Sequence, residues 1–255
     1  MANTFFQFKN FIVHQQHTSM KVCTDACLFG AWAAQDKAMC NATNILDICA
    51  GTGLLSLMVA QANATAKITA IEIESAAAIE ATSNFNLSPW KERLHLVHDR
   101  IQNFGNINHT TFDMIISNPP FYEGDLKSPN ENKNKAAHST DLPWKELIEN
   151  VKKLLKNEGS FFVLMPTLRA YTMQKLCDQH GLQLVEEVLV HNTAKNLPIR
   201  AMQKFTKLNH ESNNDVKVTQ KIPLSVKRNK IYIKDLYNQY SPEFNVLLKD
   251  YYLHL

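Results

Sequence analysis

Five short apolar runs, separated from one another by polar turns and helical patterns, set the tightest limit on what this chain can fold into. They are Asn44 to Cys49, Lys67 to Ile73, Leu94 to Val97, Phe112 to Ser117 and Ser160 to Met165. Such runs read as strands buried on both faces, and strands of that kind belong to a parallel sheet. Between them the pattern predicts helices at Leu54 to Ala62 and at Ser75 to Asn84, the latter with Ser75 as N-cap. A third helix precedes the fifth strand. Its Trp144, Leu147, Ile148, Val151, Leu154 and Leu155 recur at offsets of three and four, with Pro143 near its start and Gly159 where the chain leaves. The series predicts a doubly wound α/β sheet, mostly parallel and seven-stranded, with helices on both faces. Leu184 to His191 and Ile199 to Thr206 are expected as an antiparallel hairpin at its edge, joined by the polar connection Asn192 to Pro198.

With 255 residues, 45% hydrophobic, the chain can bury a full core as one domain. A 20% charged content and a mean hydropathy of −0.26 exclude an integral membrane protein. The start lacks a basic segment followed by an apolar stretch and a small-residue cleavage site, so a cytoplasmic location is expected. Five cysteines (Cys23, Cys27, Cys40, Cys49 and Cys177) without a CxxC pair fit reduced thiols rather than disulfide or metal sites. The pairs His14/His17 and His95/His98 recur at three-residue spacing. The second lies on an expected strand, where that spacing turns the two rings to opposite faces, so no metal is expected. Net charge of +3 permits a polyanionic partner. Lys204, Lys207, Lys217, Lys221, Lys227, Arg228 and Lys230 form a basic stretch that could contact phosphates, or simply a solvated edge. The aromatic C-terminal segment, Ile231 to Leu255, is expected to dock as a core-filling helix rather than to serve as a base-stacking platform. Glu123 to Lys135 is expected to be a mobile loop.

Glycine is scarce, with 7 residues where average usage would give roughly eighteen. Two of the 7 follow the first strand, in Asp47-Ile48-Cys49-Ala50-Gly51-Thr52-Gly53-Leu54. Glycines at a strand-to-helix turn let the backbone approach a ligand that a Cβ would block. Glu72, roughly twenty positions on at the end of the second strand, can accept both hydroxyl protons of a ribose. An adenosine-containing cofactor follows from the combination. The third glycine of the dinucleotide fingerprint is absent, and so is a P-loop GK[ST]. The pattern resembles the S-adenosylmethionine site of class I methyltransferases, whose first motif reads D-x-G-x-G-x-G, here with Cys49 at the first glycine position. The resemblance implies a Rossmann-like fold in which Gly51 and Gly53 pass under the ribose and methionine arm. It also implies that Asp47 helps hold the amino-acid end, that Glu72 takes the ribose hydroxyls, and that Asp99 accepts from the adenine amino group.

The fourth strand closes as Ser117-Asn118-Pro119-Pro120-Phe121-Tyr122. Two prolines forbid further helix or ladder pairing, so Asn118 is presented rigidly at the sheet's carboxyl edge. An exocyclic amine is a poor nucleophile because its lone pair is delocalised into the ring. Two fixed acceptors, the Asn118 side-chain oxygen and the Pro119 carbonyl, would favour the pyramidal nitrogen of the transition state. Phe121 or Tyr122 would stack on the extruded base. N-P-P-[FY] is shared by enzymes that methylate adenine N6, cytosine N4 and glutamine amide nitrogen, so it defines an amino-methylating group.

Met20 to Trp32, which includes Lys21, Thr24 and Asp25, the spaced His138-Ser139-Thr140-Asp141, and the closing Tyr-Leu segment look like the bacterial tRNA1(Val) (adenine(37)-N6)-methyltransferase family. That resemblance implies N6-methylation of the adenosine beside the anticodon in a tRNA substrate, with Lys21, Thr24 and Asp25 near the cofactor. One domain over residues 1–255 is expected, acting as a monomer without membrane or metal partners: a 1–40 extension contributing to the cofactor site, a 41–191 core, and a 192–255 edge strand, basic segment and C-terminal helix. The alternatives are a DNA adenine or cytosine methyltransferase, a protein glutamine methyltransferase, and a non-catalytic cofactor-binding RNA module. The glutamine enzyme would carry a helical N-terminal domain, for which the roughly forty residues before Asp47 leave no room.

Overall fold

The computed structural model describes residues 3–18, 20–107, 110–120, 142–208 and 225–255. A small antiparallel pair, β1 (Phe5–Gln7) and β2 (Ile12–His14), precedes the helices α1 (Thr24–Ala34) and α2 (Lys37–Asn41). Then β3 (Asn44–Ile48), β4 (Lys67–Glu72), β5 (Leu94–His98) and β6 (Phe112–Ser117) alternate with α3 (Leu54–Ala62), α4 (Ser75–Leu87) and α5 (Ile101–Ile107). The helix α6 (Trp144–Leu154) leads into β7 (Leu155–Pro166), and α7 (Thr167–Gln179) leads into β8 (Leu182–His191) and β9 (Pro198–Lys207). The chain closes with β10 (Lys227–Tyr232) and α8 (Pro242–Leu248).

Strands β3 to β10 form one sheet in the order β10-β8-β9-β7-β6-β3-β4-β5, in which β9 runs against the other described strands. The expected doubly wound sheet is present with one strand more than the seven expected. The hairpin of β8 and β9 is therefore not the edge, because β10 pairs in parallel outside β8. Its Lys227-Arg228-Asn229-Lys230 stretch is exposed, and lysine-rich strands are how sheets blunt a free edge. That charge also hid it from an apolar pattern. In α4, Ser75 is the first helical residue and Glu74 occupies the cap position.

Strand β7 shows why the sheet is covered on both faces. Phe162 and Leu164 enter one buried cluster with residues of α1, α3 and α8, while Phe161, Val163 and Met165 enter the other with α6 and α7. Alternation of period two with apolar residues at every position leaves no face for water. The stripe of α6 buries Trp144, Leu147, Ile148, Val151 and Leu154 as the spacing predicts. The C-terminal aromatics divide. Phe244 and Tyr251 are in the core, with the Tyr251 hydroxyl donating to the Met58 carbonyl at 3.1 Å, but Tyr237 is 84% exposed.

At the amino edge, Asp113 ties β6 to its neighbours. Its carboxylate accepts from the Thr43 N–H and hydroxyl at 2.9 and 2.8 Å and from the Asn44 N–H at 2.9 Å, and it meets Lys156 Nζ at 2.6 Å. Burial pushes the carboxyl up, but the bonds from Lys156, Asn44 and Thr43 outweigh it and hold Asp113 well below the usual carboxylate range. A depressed folded value means stability that is present at neutral pH and lost as pH falls through the acid range. Asp113→Ala is expected to cost about 1–3 kcal/mol in urea unfolding at pH 7, with a smaller loss near pH 3 and no change in ligand affinity.

Candidate active site

The carboxyl ends of β3, β4, β5 and β6 are tied into one row. The Ser117 hydroxyl donates to the Ile48 carbonyl at 2.7 Å, the Ala50 N–H to Ile71 at 3.1 Å and the Asp99 N–H to the Glu72 carbonyl at 3.1 Å. These bonds gather Asp47, Gly51, Gly53, Glu72, Asp99 and Asn118 along one edge, as the sequence pattern requires. The turn itself uses left-handed backbone three times in five residues, at Cys49 (φ 63°), Gly51 (φ 56°) and Gly53 (φ 81°). Cys49 thus adopts the conformation that favours glycine at its position in the D-x-G-x-G-x-G pattern, at a cost of about 1–2 kcal/mol. Burial pushes its thiol well up, with the carboxylates of Glu72 and Asp47 adding to the effect, which favours the protonated form.

The two glycines differ. A Cβ on Gly53 would meet Phe85 Cε1 at 2.4 Å, whereas one on Gly51 would meet no atom of the described residues within 4 Å. Gly53 lets the turn pack onto α4, and Gly51 faces open space that a side chain would enter. Asp47 is fully buried; its Oδ2 accepts from the Ser56 N–H and hydroxyl at 3.1 and 2.7 Å, while its Oδ1 has no partner among the described residues. Burial pushes this carboxyl up to about 7, against the two bonds from Ser56 and with the help of the Glu72 charge. Glu72 is taken up differently from the expectation. Its Oε2 accepts from the Gly51 N–H at 2.7 Å and its Oε1 from the Ile73 and Glu74 N–H groups at 2.8 and 2.9 Å, so it shapes the turn as well as standing beside it. Asp99 accepts from the Arg100 N–H and the Asn103 amide at 2.7 and 2.8 Å, at the start of α5.

Asn118 is half-buried at the end of β6, and its Oδ1 is a buried acceptor without a partner among the described residues. An unmet buried carbonyl costs about 1–3 kcal/mol, which a ligand N–H would recover. Pro119 is buried, and the Trp144 indole N–H reaches the Pro120 carbonyl at 3.4 Å, fixing the turn from α6. Phe121 and Tyr122, the Glu123 to Lys135 stretch expected as a loop and the His138 to Asp141 segment lie outside the described residues, as do Lys217 and Lys221 of the basic stretch.

The N-terminal segment reaches this edge through residues that the sequence pattern did not single out. The Asn84 side chain accepts from the His14 N–H at 2.9 Å and donates to the carbonyls of His14 and Thr52, both at 2.9 Å, so it joins β2 to the glycine turn. One turn earlier, the buried Glu80 carboxylate gathers the N–H groups of Gln16, His17 and Thr18. The readable signal is a pair of polar residues four apart on a helix face otherwise made of Ala77, Ala81 and Phe85. Lys21 donates to the Gln15 carbonyl, and the Val22 N–H to Gln15 Oε1 at 2.7 Å, closing the loop before Thr24 opens α1. Asp25 pairs with Arg200 at 2.7 Å, beside the end of β7 where Arg200 faces Pro166. The basic stretch is largely committed to the fold: Lys204 pairs with Asp36, Lys207 holds the carbonyls of Lys152 and Leu155, and Lys227 and Arg228 pair with Glu186 and Glu187. Among the described residues no group of three or more His, Cys, Asp and Glu side chains could hold a metal ion, and no helix is long and apolar enough to cross a membrane.

The family model for the methyltransferase small domain matches residues 33–186. A Dyadobacter fermentans protein named tRNA1(Val) (adenine(37)-N6)-methyltransferase is 38% identical over 98% of both chains. One of the same name from Bacteroides thetaiotaomicron is 36% identical over 100% of both. Among solved structures, a protein from Agrobacterium tumefaciens described as a predicted O-methyltransferase superposes with a TM-score of 0.65 at 15% identity, covering 89% of this chain and 96% of that one, a likeness of fold. With two relatives at 36–38% identity along essentially their whole length, and a family model spanning more than half of it, the chain belongs to the tRNA1(Val) (adenine(37)-N6)-methyltransferase family of small-domain methyltransferases.

Proposed function

We propose that the protein methylates N6 of an adenosine in tRNA, at position 37 of tRNA1(Val), with S-adenosylmethionine as methyl donor. The observation that carries this reading is Asn118 Oδ1, a buried and unpartnered acceptor held at the carboxyl edge by two prolines. The residues present fit the cofactor: open space at Gly51, an orphaned oxygen on Asp47, and the Glu72 and Asp99 carboxylates at the ends of the next two strands. Asp47 would help hold the amino-acid end, Gly51 and Gly53 would lie under the ribose and methionine arm, Glu72 would take the ribose hydroxyls and Asp99 the adenine amine. Lys21, Thr24 and Asp25 would complete the site from the N-terminal side. When bound, S-adenosylmethionine supplies an electrophilic methyl group on a sulfonium.

The protein's own part is to prepare the nucleophile. Asn118 Oδ1 and the Pro119 carbonyl each accept one N–H of the target amine, which turns its lone pair out of the ring's conjugation. Both acceptors are fixed before substrate arrives, so little reorganisation is left for the reaction itself. Phe121 or Tyr122 stacks on the extruded base. The chain works as one cytoplasmic domain and as a monomer. In support of that unit, segment 1–40 and segment 192–255 are bonded to the 41–191 core at His14–Asn84 and Tyr251–Met58. A tRNA1(Val) transcript should accept one methyl group per molecule, and the same transcript with guanosine at position 37 none; equal labelling of the two would overturn the site assignment.

Asp47 gives the cofactor site a pH signature. Its folded value near 7 lies above the ordinary carboxylate value, so the native state binds more protons than the unfolded chain between about pH 4 and 7. The stability this group contributes is full below that window and is lost as pH rises through 7. Relative to Asp47→Asn, the wild type should lose on the order of 2 kcal/mol between pH 5 and 7.5 in urea unfolding. A pH-independent difference would remove Asp47 as the titrating group.

A further inference from the structure

The carboxyl edge continues past Asn118 into the antiparallel half of the sheet, which carries three connections there: the first turn of α7, the β8–β9 turn at 192–197 and the loop 233–240 after β10. The turn and the loop are contiguous, since the N–H groups of Ile233 and Lys234 donate to the carbonyls of His191 and Asn192 at 2.8 and 2.9 Å. These connections carry some of the most exposed apolar side chains of the described residues: Leu168 at 95%, Leu197 at 86%, Tyr237 at 84% and Leu236 at 68%.

The loop is built to hold Tyr237 outward. Asp235 Oδ1 accepts from the Tyr237 and Gln239 N–H groups at 2.8 and 2.9 Å, Asn238 adopts left-handed backbone at φ 63°, and Lys234 bridges to Tyr240. At its base Tyr240 stacks on Phe244 with ring centroids 4.3 Å apart. Asp235, the loop's acid, is thereby engaged by two N–H groups of its own loop. The 192–197 turn is similarly closed by Thr193 Oγ1 donating to Asn196 Oδ1 at 2.7 Å, and it presents Lys195 to solvent. Lys195 and Lys234 form no ion pair with a described carboxylate, in contrast to Lys227 and Arg228; the half-buried Lys234 donates to the neutral Asn238 Oδ1 at 2.9 Å, a bond that leaves its charge uncompensated.

A preorganised exposed aromatic flanked by lysines suits single-stranded nucleic acid, whose bases offer π-faces and whose backbone offers phosphates. We propose that this rim holds unpaired nucleotides flanking the target adenosine, with Tyr237 stacking on a base and Lys195 and Lys234 meeting phosphates. The strand order puts the β8–β9 turn and the loop after β10 two to four strands from β6, roughly 10–20 Å at about 4.8 Å per strand, within reach of neighbouring loop nucleotides. The inference rests on the RNA reading of the site.

The test uses the full chain with a fluorescein-labelled anticodon stem-loop of tRNA1(Val) for binding and the tRNA1(Val) transcript for turnover. Tyr237→Ala should weaken stem-loop binding and raise the KM for tRNA about tenfold or more, with cofactor affinity, kcat and melting temperature close to wild type. Tyr237→Phe should restore both, and Lys195→Glu should weaken binding and flatten its salt dependence. Tyr237→Ala that binds as the wild type overturns the proposal. If the wild type binds the stem-loop without methylating the transcript and Tyr237→Ala still binds weakly, the rim stands and the substrate assignment falls; if the wild type does not bind RNA, both fall.

Discussion

Asn118→Ala is expected to lower kcat at least about a hundredfold while leaving the cofactor dissociation constant within a few-fold of wild type. The asymmetry follows from the geometry. Asn118 Oδ1 has no partner in the described protein, so its removal breaks no structural bond, whereas Ser117, one residue earlier, is the side chain that pins β6 to β3. A group whose interaction forms mainly with the activated amine is lost from kcat and kcat/KM together. Single-turnover kinetics with saturating cofactor measures this directly. A variant that turns over within a few-fold of wild type would remove Asn118 from the chemistry.

The second large effect separates the two glycines. Gly53→Ala combines a left-handed backbone with a Cβ 2.4 Å from the buried Phe85 ring, and is expected to destabilise the fold by about 2–4 kcal/mol. The turn must shift to relieve the contact, so cofactor affinity falls as well. Gly51→Ala meets no atom of the described residues, so it should cost only about 1 kcal/mol of stability yet weaken cofactor binding at least tenfold, because its methyl enters the space proposed for the ligand. Urea unfolding and calorimetric titration of both variants give the comparison. Equal stability losses with equal affinities would mean that the space at Gly51 is not the ligand's place.

What was readable in the chain was what depends on short-range pattern. Apolar runs at β3 to β7, the stripe of α6, the glycine pair and the proline-locked asparagine each carry their signal within a dozen residues. Strand β10 was not readable, since Lys227 to Lys230 carries edge chemistry instead of core pattern. The basic stretch looked available for phosphates because its acids, Asp36, Glu186 and Glu187, come from other parts of the chain. Glu72 was legible as an acid at a strand end, but nothing local states that its oxygens also accept three turn N–H groups. The roles of Glu80 and Asn84 depend on β2 and the loop after it folding back across some sixty to seventy residues. The C-terminal aromatics failed as a single class. Phe244 and Tyr251 fill the core as expected, and Tyr237, five residues past β10, does not.

In the proposed reaction two fixed acceptors, Asn118 Oδ1 and the Pro119 carbonyl, activate an exocyclic amine. The most direct measurement is nucleoside analysis of tRNA lacking the modification after incubation with the protein and isotope-labelled S-adenosylmethionine. The label is expected in N6-methyladenosine. Label in 1-methyladenosine, 2-methyladenosine or 5-methylcytidine would place the methyl on an atom that has no N–H pair to donate, and would contradict the role assigned to Asn118 and Pro119.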